Sequence, residues 1–453
     1  MLDALGLTQP RLRRLATIAL VLGLGIYAAK GLAFLIEFTG FLIRSPGLLQ
    51  RDFTAFYFLT DAVRKGLDPN LPLPELGAAL GMPGLTLFPH PTPHPPTAGI
   101  LLLPLTLMNV TTAAVFWLFF SFAALVFATA LLGRLIGIPK PGWLALPLAL
   151  SLLAWQPIND DLSWGNINVL ILLLLTATLF LLRAKQPWIA GGALGVALLL
   201  KPIAWPILLV LLLRRQWAVS AGCALAGSVV GAVTLAVIGP PAVVRYFTES
   251  LPLAARYYQR DFLNFSLSTL GARLFEGVEF PPQNPHLHFT PLAYIPPAGS
   301  LLSIALIILA IAGGVLLTRG RSLECAIAIM TCVSIAGSPT TWTHYFTLTL
   351  LPITVLLASL RVQCWPSVLT RRSVGFVTLL ALPIDVWLGL ILRVAPKAQA
   401  QDGSWTFGPA VLCLMPTYFL LALAVLPAWP REATTASLRQ TKRRPRELYL
   451  VCA

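Results

Sequence analysis

Charge is scarce in this sequence. Of 453 residues, 17 are acidic and 32 basic, so charged residues make up 11%, against about 25% in ordinary soluble proteins. So few charges cannot cover the surface of a soluble chain of this length. Cysteine is sparse as well: Cys223, Cys325, Cys332, Cys364, Cys413 and Cys452. None is paired at CxxC spacing, and all fall in apolar runs or in loops expected on the cytoplasmic side. That argues against a structural zinc site and a disulfide scaffold. There is no GxxxxGK[ST] loop, GxSxG elbow or HExxH pair, which excludes a P-loop ATPase, an α/β-hydrolase and a zincin. No long hydrophilic stretch could hold a soluble nucleotide-sugar domain. No clear internal repeat is present, which weighs against the common transporter folds.

Hydrophobic residues make up 57% of the chain, and mean hydropathy is +0.80. The pattern predicts an all-α polytopic membrane protein of about twelve spans. The first apolar run, Leu15 to about Leu35, follows Arg11, Arg13 and Arg14 and is too long for a signal peptide. Others are expected near residues 112–133, 143–157, 167–183, 188–200, 203–213, 217–238, 298–318, 323–338, 343–360, 374–392 and 407–428. The 188–213 pair meets at Lys201-Pro202, either as a hairpin of short spans or as one kinked element. The short apolar stretch 96–108 reads as re-entrant or interfacial. Residues 1–430 thus form one membrane domain with two long loops, about 38–111 and 239–297, and 431–453 form a basic tail beside anionic lipid.

With both termini inside, 20 of the 32 basic residues fall on the cytoplasmic side, as the positive-inside rule requires. The net charge of +15 is thereby accounted for without nucleic acid, since no basic stretch is interleaved with stacking aromatics. All five histidines and most acids fall on the outer side. Ionisable groups gathered on one face mark either a reaction site or the rim of a transport path.

Asp52 opens a segment in which Phe53, Phe56, Tyr57, Thr60 and Val63 recur at helical steps. A surface helix lying on the membrane would place Asp52 at its N-cap, where it is either only a cap or a general base facing a lipid-borne substrate. His90 and His94 lie in an extended, proline-rich stretch and need not converge on a metal. Asn166 and Asn168 open a span; their amides suit sugar hydroxyls or an interhelical bond equally. Lys201 either snorkels or meets an anion such as phosphate. His344, in Ser338-Pro339-Thr340-Thr341-Trp342-Thr343-His344-Tyr345, is a possible donor to a phosphate oxygen, or part of an aromatic belt. Asn264-Phe265-Ser266-Leu267 follows Arg256, Tyr257, Tyr258 and Arg260 and could be a simple turn.

In chain order these segments resemble glycosyltransferase family 87, membrane enzymes of GT-C architecture. The matching segments are Arg51-Asp52-Phe53 with Phe56-Tyr57 and Lys65-Gly66 before Asp68-Pro69; Gly165-Asn166-Ile167-Asn168; the glycine-rich run from Ala190 to Lys201-Pro202; Asn264 with Ser266-Leu267; and Ser338-Pro339 with Trp342 and His344. Asn166 stands where the family more often has Gln, and Pro69 and Pro72 follow Asp68 where Pro-Tyr is usual. The resemblance implies transfer of one mannose- or arabinose-like sugar from a polyprenyl-phosphate donor to a lipid or glycan acceptor. The reaction would be inverting and metal-independent, without cofactor, on the extracytoplasmic face of the cell membrane. It casts Asp52 as base. Lys201, His344 and Arg256 would bind the donor phosphate, and Asn166, Asn168, Asn264, Ser266 and Tyr57 the sugar or acceptor. A transporter or flippase of a lipid-linked sugar would use the same basic residues without a base.

Overall fold

Long apolar runs without proline in their interiors can satisfy backbone polarity in lipid only as helices. The computed structural model describes residues 10–45, 51–85, 88–138, 142–259, 263–276, 291–362, 386 and 414–426. Within these the chain is helical, and no strand is present beyond one isolated bridge between Pro72 and Pro91.

The elements are α1 (Pro10–Arg44), α2 (Arg51–Lys65), α3 (Leu73–Ala79), α4 (Pro96–Leu101), α5 (Val110–Leu135), α6 (Gly142–Leu152), α7 (Gln156–Trp164), α8 (Asn168–Arg183) and α9 (Pro187–Leu200). They continue as α10 (Trp205–Leu213), α11 (Trp217–Ile238), α12 (Pro240–Arg245), α13 (Leu251–Gln259), α14 (Ser268–Phe275), α15 (Pro296–Thr318), α16 (Leu323–Ala336), α17 (Leu350–Val362) and a final helix, Met415–Val425. Among the described residues four helices are long and apolar enough to cross a membrane: Arg14–Arg44 of α1, and α5, α11 and α15. The pair α7 and α8, bent by 117° at a short break, makes a fifth if counted as one broken span.

Several of the twelve expected spans therefore differ in kind. The one expected at 143–157 stops at Leu152, and a separate helix starts at Gln156. α9 matches the short segment expected at 188–200, and α16 ends two residues before the limit expected for 323–338; both, like α6, are apolar helices of 10–17 residues. The span expected at 374–392 lies outside the described residues except for 386, and the basic tail lies outside them entirely. The 96–108 stretch forms α4 and a 3₁₀ turn, Leu103–Leu107.

The four long helices present apolar side chains outward, as Ile36 of α1, Phe127 of α5, Leu225 of α11 and Leu309 of α15 show. The interior is built around α16, in which every residue from Cys325 to Ala336 is buried. α9 and α11 meet backbone to backbone. A Cβ on Gly191 would lie 2.0 Å from the Val219 carbonyl oxygen, and one on Gly222 would lie 2.2 Å from that of Trp188. Small residues at such contacts are how apolar helices associate closely without side-chain interdigitation.

α2 departs from the expected surface helix. Residues Phe53 to Val63 are all buried, polar ones included. Its polar face is satisfied inside the protein: Thr60 Oγ1 donates to the Phe56 carbonyl, and Asp61 pairs with Arg64 at 2.6 Å and Lys65 at 3.1 Å. The 38–111 and 239–297 segments contact each other through Asp68 with Arg245 and Asn70 with Ser250, the latter at 3.0 Å.

Candidate functional site

The break between α7 and α8 builds the centre of the site. Gly165 adopts φ 66°, a left-handed conformation open to glycine, and ends α7. The chain reverses through Asn166 and Ile167. Asp161 then anchors the next helix, accepting from the Val169 amide at 2.9 Å and from Asn168 Nδ2 at 2.8 Å. This leaves Asn166 projecting from the bend and Asn168 just beneath it.

Lys201 arrives from the C-terminus of α9, where Pro202 prevents the helix from continuing. Its ammonium donates to Asn168 Oδ1 at 3.0 Å and Asn166 Oδ1 at 3.3 Å, and sits 3.6 Å from the Tyr345 ring centroid. His344 arrives on the 3₁₀ turn Thr343–Thr349, which is tied to α7 by Thr343 Oγ1 donating to Asp160 at 2.5 Å and Thr347 Oγ1 donating to the Pro157 carbonyl at 3.1 Å.

Asp52 completes the cluster. α2 begins at Arg51, so Asp52 lies in the first turn rather than at the cap. Its Oδ2 accepts from Asn166 Nδ2 at 2.6 Å and lies 3.8 Å from His344 Nε2. Asn166 Nδ2 is also 3.1 Å from His344 Nε2. With Asn166 Oδ1 accepting from Lys201 and from the Ile167 amide, the Asn166 amide orientation follows from its partners.

These four side chains line a cleft of about 230 Å³. His94, from the proline-rich segment, lines it too and stacks on Phe56 with 3.8 Å between ring centroids. Burial, followed by the nearby Lys201 and His90, holds His94 well below the usual imidazole range. Apolar side chains line it as well, among them Trp205, Pro206, Ile311 and Val333. His90 lies among Phe88, Tyr257 and Tyr258. Among the described residues no three His, Cys, Asp or Glu side chains gather as metal ligands would.

Of the residues singled out from sequence, Asp52, Asn166, Lys201 and His344 meet at the cleft, with Asn168 supporting Lys201. The others do not reach it. Tyr57 is buried and donates its hydroxyl to the Met108 carbonyl at 2.8 Å. Asn264 is consumed by backbone: it donates to the Tyr258 and Pro339 carbonyls and accepts from the Ser266 and Thr341 amides. Ser266 bonds the Ser338 carbonyl and Ser268. Both brace the 338–341 loop that walls the cleft. Arg256 is exposed on α13 while its neighbours Ala255 and Tyr258 line the cleft. His94, Tyr345 and Trp342 were not picked out as site residues from the sequence, although the aromatic pair lies in the same motif as His344.

Fold and cleft define a helical membrane protein that collects a carboxylate, an amide, an imidazole and an ammonium at one buried point. The chain belongs to glycosyltransferase family 87, whose sequence profile matches residues 93–339. It is 30% identical over 197 residues to an alpha-(1->3)-arabinofuranosyltransferase of Mycobacterium tuberculosis, covering 42% of this chain and 44% of that protein. It is 27% identical over 320 residues to a polyprenol-phosphate-mannose-dependent alpha-(1-2)-phosphatidylinositol mannoside mannosyltransferase of Mycolicibacterium smegmatis, covering 67% and 68%. The alignment thus spans less than half of the arabinofuranosyltransferase. No solved structure matches the chain.

Proposed function

We propose that this protein is a membrane glycosyltransferase that moves one mannose- or arabinose-like sugar from a polyprenyl-phosphate donor to a lipid or glycan acceptor. The observation that carries this reading is the gathering of Asp52, His344 and Lys201 around Asn166 in a cleft that apolar side chains also line. Such a cleft suits a substrate with a charged head and a hydrocarbon tail.

In this reading Asp52 takes the proton of the acceptor hydroxyl. The hydroxyl oxygen bonds to the anomeric carbon as the bond from that carbon to the phosphate oxygen breaks, with inversion. The leaving phosphate carries its own negative charge and needs no proton, so one carboxylate suffices, unlike the pair used in glycoside hydrolysis. The Lys201 ammonium, pre-placed by two amide oxygens, and His344 stabilise the charge on that phosphate. No step calls for a metal. The bias of basic residues in the sequence supports a cleft on the extracytoplasmic face of the cell membrane.

The test is full-length protein in detergent given labelled polyprenyl-phosphate mannose or arabinose with extracted membrane lipids. A glycosylated product with inverted anomeric configuration, lost in Asp52→Asn, is expected. Movement of intact donor across a vesicle bilayer, surviving in Asp52→Asn, would instead make the protein a flippase.

A further inference from the structure

His94 is fixed in position while its ring nitrogens are left unused. It sits in a stretch where Pro91, Pro93 and Pro95 lock every second φ, so the backbone there is stiff. The stretch is also tied to its surroundings. The Leu73 amide donates to the His90 carbonyl at 3.0 Å, and the Tyr246 hydroxyl donates to the Pro93 carbonyl at 2.9 Å. Thr97 Oγ1 donates at 2.5 Å to the carbonyl of Leu199, two residues before Lys201. The imidazole lies nearly flat on Phe56, with 3.8 Å between centroids and 19° between planes. The residue is only 7% exposed. Its backbone amide donates to Thr92 Oγ1 at 3.3 Å, yet among the described residues neither ring nitrogen has a hydrogen-bond partner.

Buried polar atoms without partners cost stability, and the cleft that His94 lines is where a partner would come from. Burial first, then the charges of Lys201 and His90, keep the ring well below the usual imidazole range. It therefore meets the cleft neutral, with one donor nitrogen and one acceptor nitrogen. A hydroxyl, itself both donor and acceptor, matches such a group. A phosphate offers acceptors alone, and the bare nitrogen would face its lone pairs; the Lys201 ammonium suits it better. Position narrows the choice further. Phe56 follows Asp52 by four residues on α2, so the stacked ring lies one turn, about 6 Å, along the same helix face from the carboxylate. Lys201 is near enough for its charge to act on the ring. His94 thus lies beside both the proposed base and the proposed phosphate-holding residue, and the sugar in transfer has to sit between those two.

We propose that His94 is a sugar-binding residue that takes one hydroxyl of the donor's sugar ring. The proposal rests on the glycosyltransferase reading, because the sugar is that of the polyprenyl-phosphate donor. It adds a contact to the sugar from the proline-rich segment, apart from the groups that would serve the proton and the phosphate.

The experiment uses full-length protein in detergent. Calorimetric titration gives its affinity for polyprenyl-phosphate mannose, polyprenyl-phosphate arabinose and polyprenyl phosphate without sugar. The readout is the ratio of sugar-bearing to bare lipid affinity, which does not depend on how much of a preparation is folded. His94→Phe keeps an aromatic ring to stack on Phe56 but has no nitrogen. It should lower the ratio about fivefold, the worth of one neutral hydrogen bond, and leave bare-lipid affinity unchanged. Among monodeoxy forms of the preferred sugar, one should lose the same factor with the wild type and nothing more with His94→Phe. Losses that simply add for every deoxy form would overturn the contact. A ratio above one in the wild type that His94→Phe leaves unchanged would overturn the role of His94 alone. Wild-type protein that prefers neither sugar-bearing lipid over the bare one would overturn the proposal as well, and the glycosyltransferase reading falls with it only if neither sugar is transferred.

Discussion

Asn166 Nδ2 lies 2.6 Å from Asp52 Oδ2, joining the first turn of α2 to a bend more than a hundred residues further along the chain. The same amide carries Lys201 on its oxygen. One neutral side chain thus bridges a carboxylate and an ammonium.

If Asp52 is the base, Asp52→Asn should cut turnover about 10²- to 10⁴-fold while leaving donor affinity nearly intact, because the amide keeps the shape but cannot take a proton. Single-turnover rates with saturating donor and an independent donor-binding measurement check this together. Near-normal turnover would remove Asp52 from the role.

Lys201→Ala should weaken donor binding by about tenfold or more, the worth of one charge-assisted hydrogen bond of about 1.5–3 kcal/mol. Polyprenyl phosphate without sugar should lose affinity by the same factor, since the contact is to phosphate. Unchanged affinity for both ligands would leave Lys201 a structural partner of Asn166, Asn168 and Tyr345.

Asn166→Asp places a second carboxylate against Asp52. Like charges at that distance cannot both ionise freely, so one of the pair is raised. As the proposed base Asp52 would have to be deprotonated, so activity would be lost as pH falls through its pKa. The acidic limb of the kcat/KM profile should therefore move to higher pH in the variant. A limb that stays in place would show that the group titrating there is not Asp52.

Much of this arrangement was legible in the sequence. The helices at 110–135, 217–238 and 296–318 lie within two residues of their expected limits, because unbroken apolar runs end sharply at turns and charges. Asn166, Lys201 and His344 stood out as polar residues in apolar company. What failed did so for physical reasons. α2 read as a helix lying on the membrane surface, yet Asp61 is paired within the helix itself by Arg64 and Lys65, which lets its carboxylate be buried. The polarity of Asn264 and Ser266 was plain, but a sequence does not say whether an amide turns toward a ligand or toward backbone. Arg256 lies on a helix whose rotational phase is set by packing, and the phase turned it outward.

Glycine contacts allow a matched stability test. Gly191→Ala forces a methyl to within 2.0 Å of the Val219 carbonyl oxygen, whereas Gly192→Ala meets nothing within 4 Å. The first should destabilise by about 1–3 kcal/mol and lower the unfolding temperature in detergent; the second should be close to neutral. Equal behaviour of the two would refute the close α9–α11 contact.

That contact reaches further than stability. Lys201 follows directly from α9, whose backbone is seated on α11, and so its ammonium inherits its position from main-chain packing. The cleft is also lined by the 93–95 segment, α13 and the 338–342 loop, the last held in place by side-chain bonds such as those of Asn264. Substitutions in those segments can therefore reshape the cleft while the lysine stays fixed. If Lys201 holds the donor as proposed, a new acceptor preference would be reached by editing those segments, with the hold on the donor phosphate left as it was.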